Sequence, residues 1–167
     1  GAFADQKEDI IANYGIGDPI RAGWCYNELV KLLNESIAEL KTEGYEPRID
    51  AFCWMQGEGD ADTPEHSSGY IRRYGALLSD FRGSFREEIS GNCRFIDAGI
   101  STVWPLYTII NSAKKEYAET DAAFRFIDTI AEGLTTANEP VPEPDVYHYD
   151  SDCVIKLGRL FAREIEL

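Results

Sequence analysis

Short apolar runs alternate with longer stretches of helical period along this chain, and this alternation limits the fold more than any other feature. The run Ile49–Trp54 is apolar almost throughout, as is typical of a strand covered on both faces. Before it, residues 25–41 place apolar side chains at spacings of three and four, which predicts an amphipathic helix. Strands that alternate with helices form parallel sheets. The sequence therefore predicts an α/β fold in a single domain.

The same reasoning places the other elements. Strands are predicted at 10–14, 49–54, 94–100 and 124–128, and helices at 25–41, from Thr63-Pro64-Glu65 to 81, at 106–120 and at 152–164. Thr63 is a capping residue followed by proline at the first helical position, which marks a helix start, and Gly44 ends the first helix. The last helix is expected to contact the core through Ile155, Leu157, Leu160 and Phe161.

Charge and cysteine content exclude several classes of function. Thirty acidic side chains against 16 basic ones give a net charge of −14, which repels nucleic acid and anionic membranes and favours neutral, sugar-like ligands. No apolar run is long enough to span a membrane, and no signal peptide is visible, so the compartment stays undecided. The cysteines form no C-x-x-C pair, which argues against zinc. Cys53 and Cys93 are expected to be core thiols.

Asp145-Val146-Tyr147-His148 is the first segment that suggests chemistry. A carboxylate three residues before a histidine can accept a hydrogen bond from Nδ1, fix the tautomer and leave Nε2 as a general base. The alternative is an ordinary capping aspartate beside a surface histidine. The sequence by itself does not decide between them.

The second segment is Trp54-Met55-Gln56-Gly57-Glu58-Gly59-Asp60, where a buried strand enters a glycine-flanked turn. Glycine allows the backbone to come close to a ligand. The neutral Gln56 carboxamide can donate a hydrogen bond to a developing oxyanion, and Glu58 can hold the loop through its own backbone amides. The alternative is a plain strand-to-helix turn with solvated acids.

Other patterns lead to weaker predictions. Gly15-Ile16-Gly17-Asp18-Pro19 can present backbone N–H groups, but it lacks the spacing of a dinucleotide fingerprint, and no phosphate loop occurs, so a nucleotide binder is disfavoured. The acidic residues from Glu58 to Glu65 match no calcium loop and are expected to be solvated at a helix start. The sequence therefore predicts no metal and no cofactor.

Together, the two main segments resemble the SGNH hydrolase superfamily, and more narrowly its sialate O-acetylesterase and acetylxylan esterase group (carbohydrate esterase family 6 and its relatives). That group has a W-x-Q-G-E-x-D block after its third strand and a D-x-x-H block before a final helix. The final helix of the group continues as an apolar–Leu-Gly–x–x–apolar-Ala run, which here is Ile155–Ala162.

The resemblance implies a three-layer α/β/α fold with a flavodoxin-like sheet. It also implies that His148 and Asp145 are the base and its orienting carboxylate, that Gln56 is the oxyanion donor, and that Gly17 contributes to the oxyanion hole. The implied reaction is hydrolysis of O-acetyl esters on carbohydrates such as acetylated sialic acid or xylan. Trp24 and Trp104 are candidate sugar-stacking surfaces, with a core position as the alternative.

The family's nucleophile is a serine in a G-x-S motif directly after the first strand. We identify no such motif here, since Ile10–Tyr14 corresponds to the family's second strand, and only Ser101 is a candidate substitute. Because the missing first strand lies inside the sheet of this family, we expect the chain to be an N-terminally incomplete domain, completed by a segment that carries the serine. The alternative is an inactive carbohydrate-binding or assembly domain with the same fold.

Overall fold

A computed structural model describes residues 23–166. These residues form five helices and three strands in the order α1 Trp24–Thr42, β1 Ile49–Trp54, α2 Pro64–Ser68, α3 Tyr70–Ser84, β2 Ile89–Ala98, α4 Tyr107–Ala118, β3 Phe124–Ile127 and α5 Ser151–Glu166. They divide into two compact units, 23–49 with 72–91 and 50–71 with 92–166. The predicted strand at 10–14 and the Gly17 turn lie outside the described residues.

The strands form one sheet in the order β1-β2-β3. β2 and β3 run parallel, with Phe95 opposite Phe124 and Ala98 opposite Ile127. Aromatic rings tie the strands together, since the Phe95 ring lies 6.1 Å from that of Phe52 and 5.3 Å from that of Phe124, measured between centroids. Helices α4 and α5 pack against β3. The predicted α/β fold with a parallel sheet is confirmed.

The second unit has an apolar core between strand ends and α5. Its buried members are Ile96, Ala98, Ile127, Leu134, Tyr149, Leu157 and Leu160. Phe161 packs against this core and is partly buried, so three of the four contacts predicted for the last helix are confirmed. The predicted core contact of Ile155 is wrong, because this side chain is 55% exposed. It precedes Leu157 by two residues, about 200° around the helix, and so faces away from the core.

The first unit contains α1 and most of α3. Ile37 and Phe81 are buried in it, and the Phe81 ring lies 5.1 Å from the Phe85 ring. Gly44 ends α1 as predicted: it has φ +90°, and the next N–H, that of Tyr45, donates to Leu40 O at 3.0 Å. This is the usual role of glycine after a helix.

Two of the predicted elements differ most from the structure. The helix begun by Thr63, whose Oγ1 accepts from His66 N, is interrupted at Gly69 and resumes as α3, since glycine is a poor helix former. β2 begins at Ile89 rather than 94, although Gly91 and Asn92 have low strand propensity. β2 neighbours β1 in the sheet, and the hydrogen bond from Ile49 N to Glu88 O joins the start of β1 to the residue just before β2.

The cysteine prediction is half right. Cys93 is buried, whereas Cys53 is exposed. Successive side chains of a strand alternate between its faces, so the burial of Phe52 in β1 places Cys53 on the other face. All four cysteines, including Cys25 and Cys153, are free thiols. Among the helices that the structure describes, none has the length and apolar character needed to cross a membrane.

Candidate active site

The Gln56-Gly57-Glu58 loop begins where β1 ends, and the middle residue has to be glycine. Gly57 is buried with φ +140°, and a Cβ atom there would lie 2.7 Å from Ile110 Cγ2 and 3.5 Å from both Lys114 Cε and Tyr70 Cε2. A side chain would be strained by its backbone conformation and would collide with α4. The loop is therefore pressed against α4, with the Gln56 side chain exposed.

Hydrogen bonds hold this loop in a tight turn. The N–H groups of Asp60 and Ala61 donate to Gly57 O at 3.1 and 3.0 Å, and Ala61 N also contacts Glu58 O at 3.0 Å. From α3, Tyr70 Oη donates to Gln56 O at 3.3 Å. These bonds fix the backbone of the loop from Gln56 to Ala61.

A buried ion pair lies behind the loop. Lys114 Nζ is 2.8 Å from Asp97 Oδ1 and 2.8 Å from the carbonyl oxygen of Ala98, and the two charged side chains are only 0% and 5% exposed. The ammonium group also lies 5.9 Å from the centroid of the Tyr70 ring, a cation–π distance. Lys114 thus joins the end of β2 to the residues that pack against Gly57. Sequence reasoning missed this pair, and the signal was a charged residue inside an apolar strand.

Asp145 and His148 are in direct contact. Asp145 Oδ2 lies 2.6 Å from His148 Nδ1, while Oδ1 accepts from Tyr147 N at 2.8 Å and from His148 N at 3.4 Å. The hydrogen bond with Asp145, and then the charge of Asp145, raise the pKa of His148, and the charge of Glu58 raises this pKa further. The same bond, followed by that from Tyr147 N–H, lowers the pKa of Asp145. His148 is 79% exposed, so its second ring nitrogen faces solvent.

Tyr149 anchors the loop of residues 145–148, called here the histidine loop, to the sheet. Its Oη bonds to Gly99 O at 3.0 Å and to Thr129 Oγ1 at 2.8 Å, and Thr129 Oγ1 itself bonds to Gly99 O at 3.0 Å. Burial raises the pKa of Tyr149 to about 12, so the phenol stays protonated. Asp150 adds a second anchor, since its carboxylate accepts from Thr135 Oγ1 at 2.5 Å and from Asn138 N at 2.8 Å. The loop therefore lies at the carboxyl ends of β2 and β3.

The turn after β2 connects the two predicted catalytic segments. Leu106 N donates to Ala61 O at 2.9 Å, which ties this turn to the Gln56 loop. Two residues earlier, the Trp104 ring lies 5.5 Å from the Tyr147 ring, between centroids, which ties the turn to the histidine loop. In open parallel sheets, ligands bind at this edge. The structure thus gathers the loops that follow all three strands at one edge.

Comparison with protein families shows to which family the chain belongs. A family model described as carbohydrate esterase, sialic acid-specific acetylesterase, matches residues 10–166. The chain belongs to this carbohydrate esterase family. Comparison with curated proteins and with solved structures finds no match.

In this esterase, Ser101 is the described serine to consider as a nucleophile. Gly99-Ile100-Ser101 does have the order G-x-S, directly after β2, which the sequence interpretation overlooked. Ser101 is 7% exposed, and its Oγ has no hydrogen-bond partner among residues 23–166. A serine nucleophile is activated by an adjacent base, and in the structure neither His148 nor another described group bonds to Ser101 Oγ. The geometry therefore disfavours Ser101 in this role.

Two of the remaining predictions fall on parts of the chain that the structure does not describe. Gly17 and its turn lie outside the described residues, and so does the side chain of Trp24. Of the acidic residues that were expected to be solvated, Asp62 and Glu65 are exposed, whereas Asp60 is buried. Among the described residues, no three carboxylate, histidine or cysteine side chains are grouped so as to hold a metal ion.

A groove lies elsewhere in the esterase, between α2 and α4. None of the predicted catalytic residues lines it. Its lining residues are Ser67, Ser68, Ile71, Thr108, Ile109, Ser112, Ala113 and Glu116.

Proposed function

We propose that this esterase hydrolyses O-acetyl esters on carbohydrates by a Ser-His-Asp mechanism. The observation that carries the proposal is the 2.6 Å contact between His148 Nδ1 and Asp145 Oδ2, with the rest of the imidazole exposed. This geometry fixes Nδ1 as the protonated nitrogen and leaves Nε2 to accept a proton. Membership of a carbohydrate esterase family supports the same reaction class.

In this mechanism each of the predicted site residues has a specific catalytic role. His148 Nε2 accepts the proton of the serine hydroxyl as the oxygen attacks the acetyl carbonyl, and Asp145 stabilises the imidazolium that results. The imidazolium then donates this proton to the sugar oxygen as the ester bond breaks. Water, deprotonated by His148 in turn, releases acetate from the serine. Gln56 donates to the oxyanion of each tetrahedral intermediate, with the backbone of Gly17 as the second expected donor.

The serine of this mechanism is proposed to lie outside the 167 residues, in an N-terminal segment that completes the sheet. Residues 1–22 contain no serine, and Ser101 has no hydrogen bond to the base. The second candidate, an inactive carbohydrate-binding domain, is favoured by the same two observations. The two functions differ in one respect that can be measured, namely whether an activated serine is present.

A fluorophosphonate reacts only with an activated serine and therefore tests the mechanism. We expect the native protein that contains this chain to be labelled, and the labelled peptide to lie outside the 167 residues. A His148→Ala variant should lose the label, because the serine loses its base. Label on Ser101 would refute the proposed position of the nucleophile. An unlabelled native protein that still binds acetylated sugar would support the binding domain instead.

A further inference from the structure

Trp104 occupies a rigid turn between the two catalytic segments. Its N–H contacts Ser101 O at 3.5 Å, its carbonyl oxygen accepts from Tyr107 N at 3.2 Å, and the bond from Leu106 N to Ala61 O fixes the residue after Pro105. Ala61 closes the turn that carries Gln56. The Trp104 ring is therefore held at a set position relative to the predicted oxyanion donor.

The ring beside Trp104 belongs to the neighbour of the catalytic base. Tyr147 precedes His148, and its ring is inclined at 45° to that of Trp104, with centroids 5.5 Å apart. Tyr147 is 55% exposed, although tyrosine usually has its ring against other apolar groups. An exposed aromatic side chain thus directly precedes the catalytic base in the chain, and the proposed reaction does not use it.

We propose that Trp104 and Tyr147 form a subsite for the ring of a neutral O-acetylated sugar. This inference rests on the proposed esterase function. The face of an aromatic ring carries partial negative charge, which complements the partly positive C–H groups on one face of a sugar ring. A sugar stacked on Tyr147 has its hydroxyl and acetyl groups beside His148.

The charges around the base favour a neutral sugar over an acidic one. Asp145 contacts His148 directly, and Glu58 acts on it through its charge. Lys114, the cation that packs against the Gln56 loop, is buried and paired with Asp97, so it does not offset the two carboxylates at the surface. A net charge of −14 adds to the repulsion. The carboxylate of a sialic acid would therefore be disfavoured here.

Binding is measured by calorimetry in a His148→Ala background, where turnover does not interfere. The probes are an O-acetylated methyl xyloside and an O-acetylated N-acetylneuraminic acid. We expect the xyloside to bind at least about tenfold more tightly at low salt. Tyr147→Ala should weaken xyloside binding about tenfold, whereas Tyr147→Phe, which keeps the ring, should retain it. Tyr45, a 62% exposed tyrosine of the first unit, gives the control, since Tyr45→Ala should change nothing.

The same variants are then compared in turnover with histidine restored. Tyr147→Ala should lower the ratio of kcat/KM for the acetylated xyloside to that for ethyl acetate, which has no ring that could stack on Tyr147. Equal losses on both esters, or tighter binding of the sialic acid, would overturn the subsite. A native protein that hydrolyses neither ester but binds the xyloside through Tyr147 would refute the esterase function and leave the subsite standing.

Discussion

Replacing Lys114 by methionine tests whether the buried ion pair supports the Gln56 loop. The side chains of Lys114 and Asp97 are 0% and 5% exposed and 2.8 Å apart. Removing one member of such a pair takes the direct ion-pair partner from a buried charge, which costs about 3–5 kcal/mol of unfolding free energy. Methionine fills a similar volume, so little cavity energy is added. We expect Lys114→Met to destabilise the protein by that amount, measured by urea denaturation.

A double variant separates the charge from the packing. In Asp97→Leu with Lys114→Met, no charge is left buried, so most of the loss should be recovered. One defect remains, because the carbonyl oxygen of Ala98 also loses its 2.8 Å contact with Lys114 Nζ. An unsatisfied buried carbonyl costs about 1–3 kcal/mol. The double variant should therefore stay about 1–3 kcal/mol less stable than the unaltered protein.

The matched control is the next residue of the same helix. Lys115 is exposed, and Lys115→Met should change the unfolding free energy by less than about 0.5 kcal/mol. If Lys114→Met costs no more than Lys115→Met, the ion pair does not stabilise the fold. If the double variant is as unstable as the single one, the loss comes from packing rather than from the broken ion pair.

Three further predictions concern the loops. Gly57→Ala should destabilise the protein by about 2–5 kcal/mol, from backbone strain and steric overlap, whereas Gly59→Ala, with no atom within 4 Å of the new Cβ, should be nearly neutral in the same urea titration. His148→Ala should lower turnover of p-nitrophenyl acetate by at least about 10³-fold, and unchanged turnover would remove this residue from the mechanism. Because the carboxylates of Asp145 and Glu58 raise the pKa of His148 and the base must be neutral, Asp145→Asn and, by a smaller amount, Glu58→Gln should lower that pKa in an NMR titration. The acidic limb of the activity profile should move to lower pH in parallel, and a shift in the opposite direction would refute this account.

The sequence predicted most elements because their signals are local. The repeat of apolar residues along α1 and α5 and the apolar run of β1 each specify an element without reference to the rest of the chain. The start of β2 was not predictable in this way, since Gly91 and Asn92 have low strand propensity and lie in a strand that neighbours β1 in the sheet. The strand's end has a similar cause, because Asn111 of α4 bonds to both the N–H and the C=O of Ile100 and removes it from the ladder.

The same distinction applies to the candidate site. Asp145 and His148 are three residues apart, so their contact follows from a short loop and could be anticipated. Lys114 and Asp97 are 17 residues apart, and their pairing depends on how α4 packs against the sheet. The position of Trp104 between two loops also depends on that packing. Local spacing thus identified the acid–base pair, whereas the residues that support it required the tertiary structure.

The exposure of His148 gives the neighbouring aromatic surface a second role. An ion pair in water contributes little, because solvent screens both charges, and His148 and Asp145 are 79% and 56% exposed. The pair becomes effective when a bound substrate excludes water from it. A sugar ring stacked on Tyr147 would cover the imidazole, whereas a small acetate ester would leave it wet. Binding energy from the sugar, remote from the bond that breaks, would then appear in kcat as well as in KM, so the Tyr147 variants also report on how the base is activated.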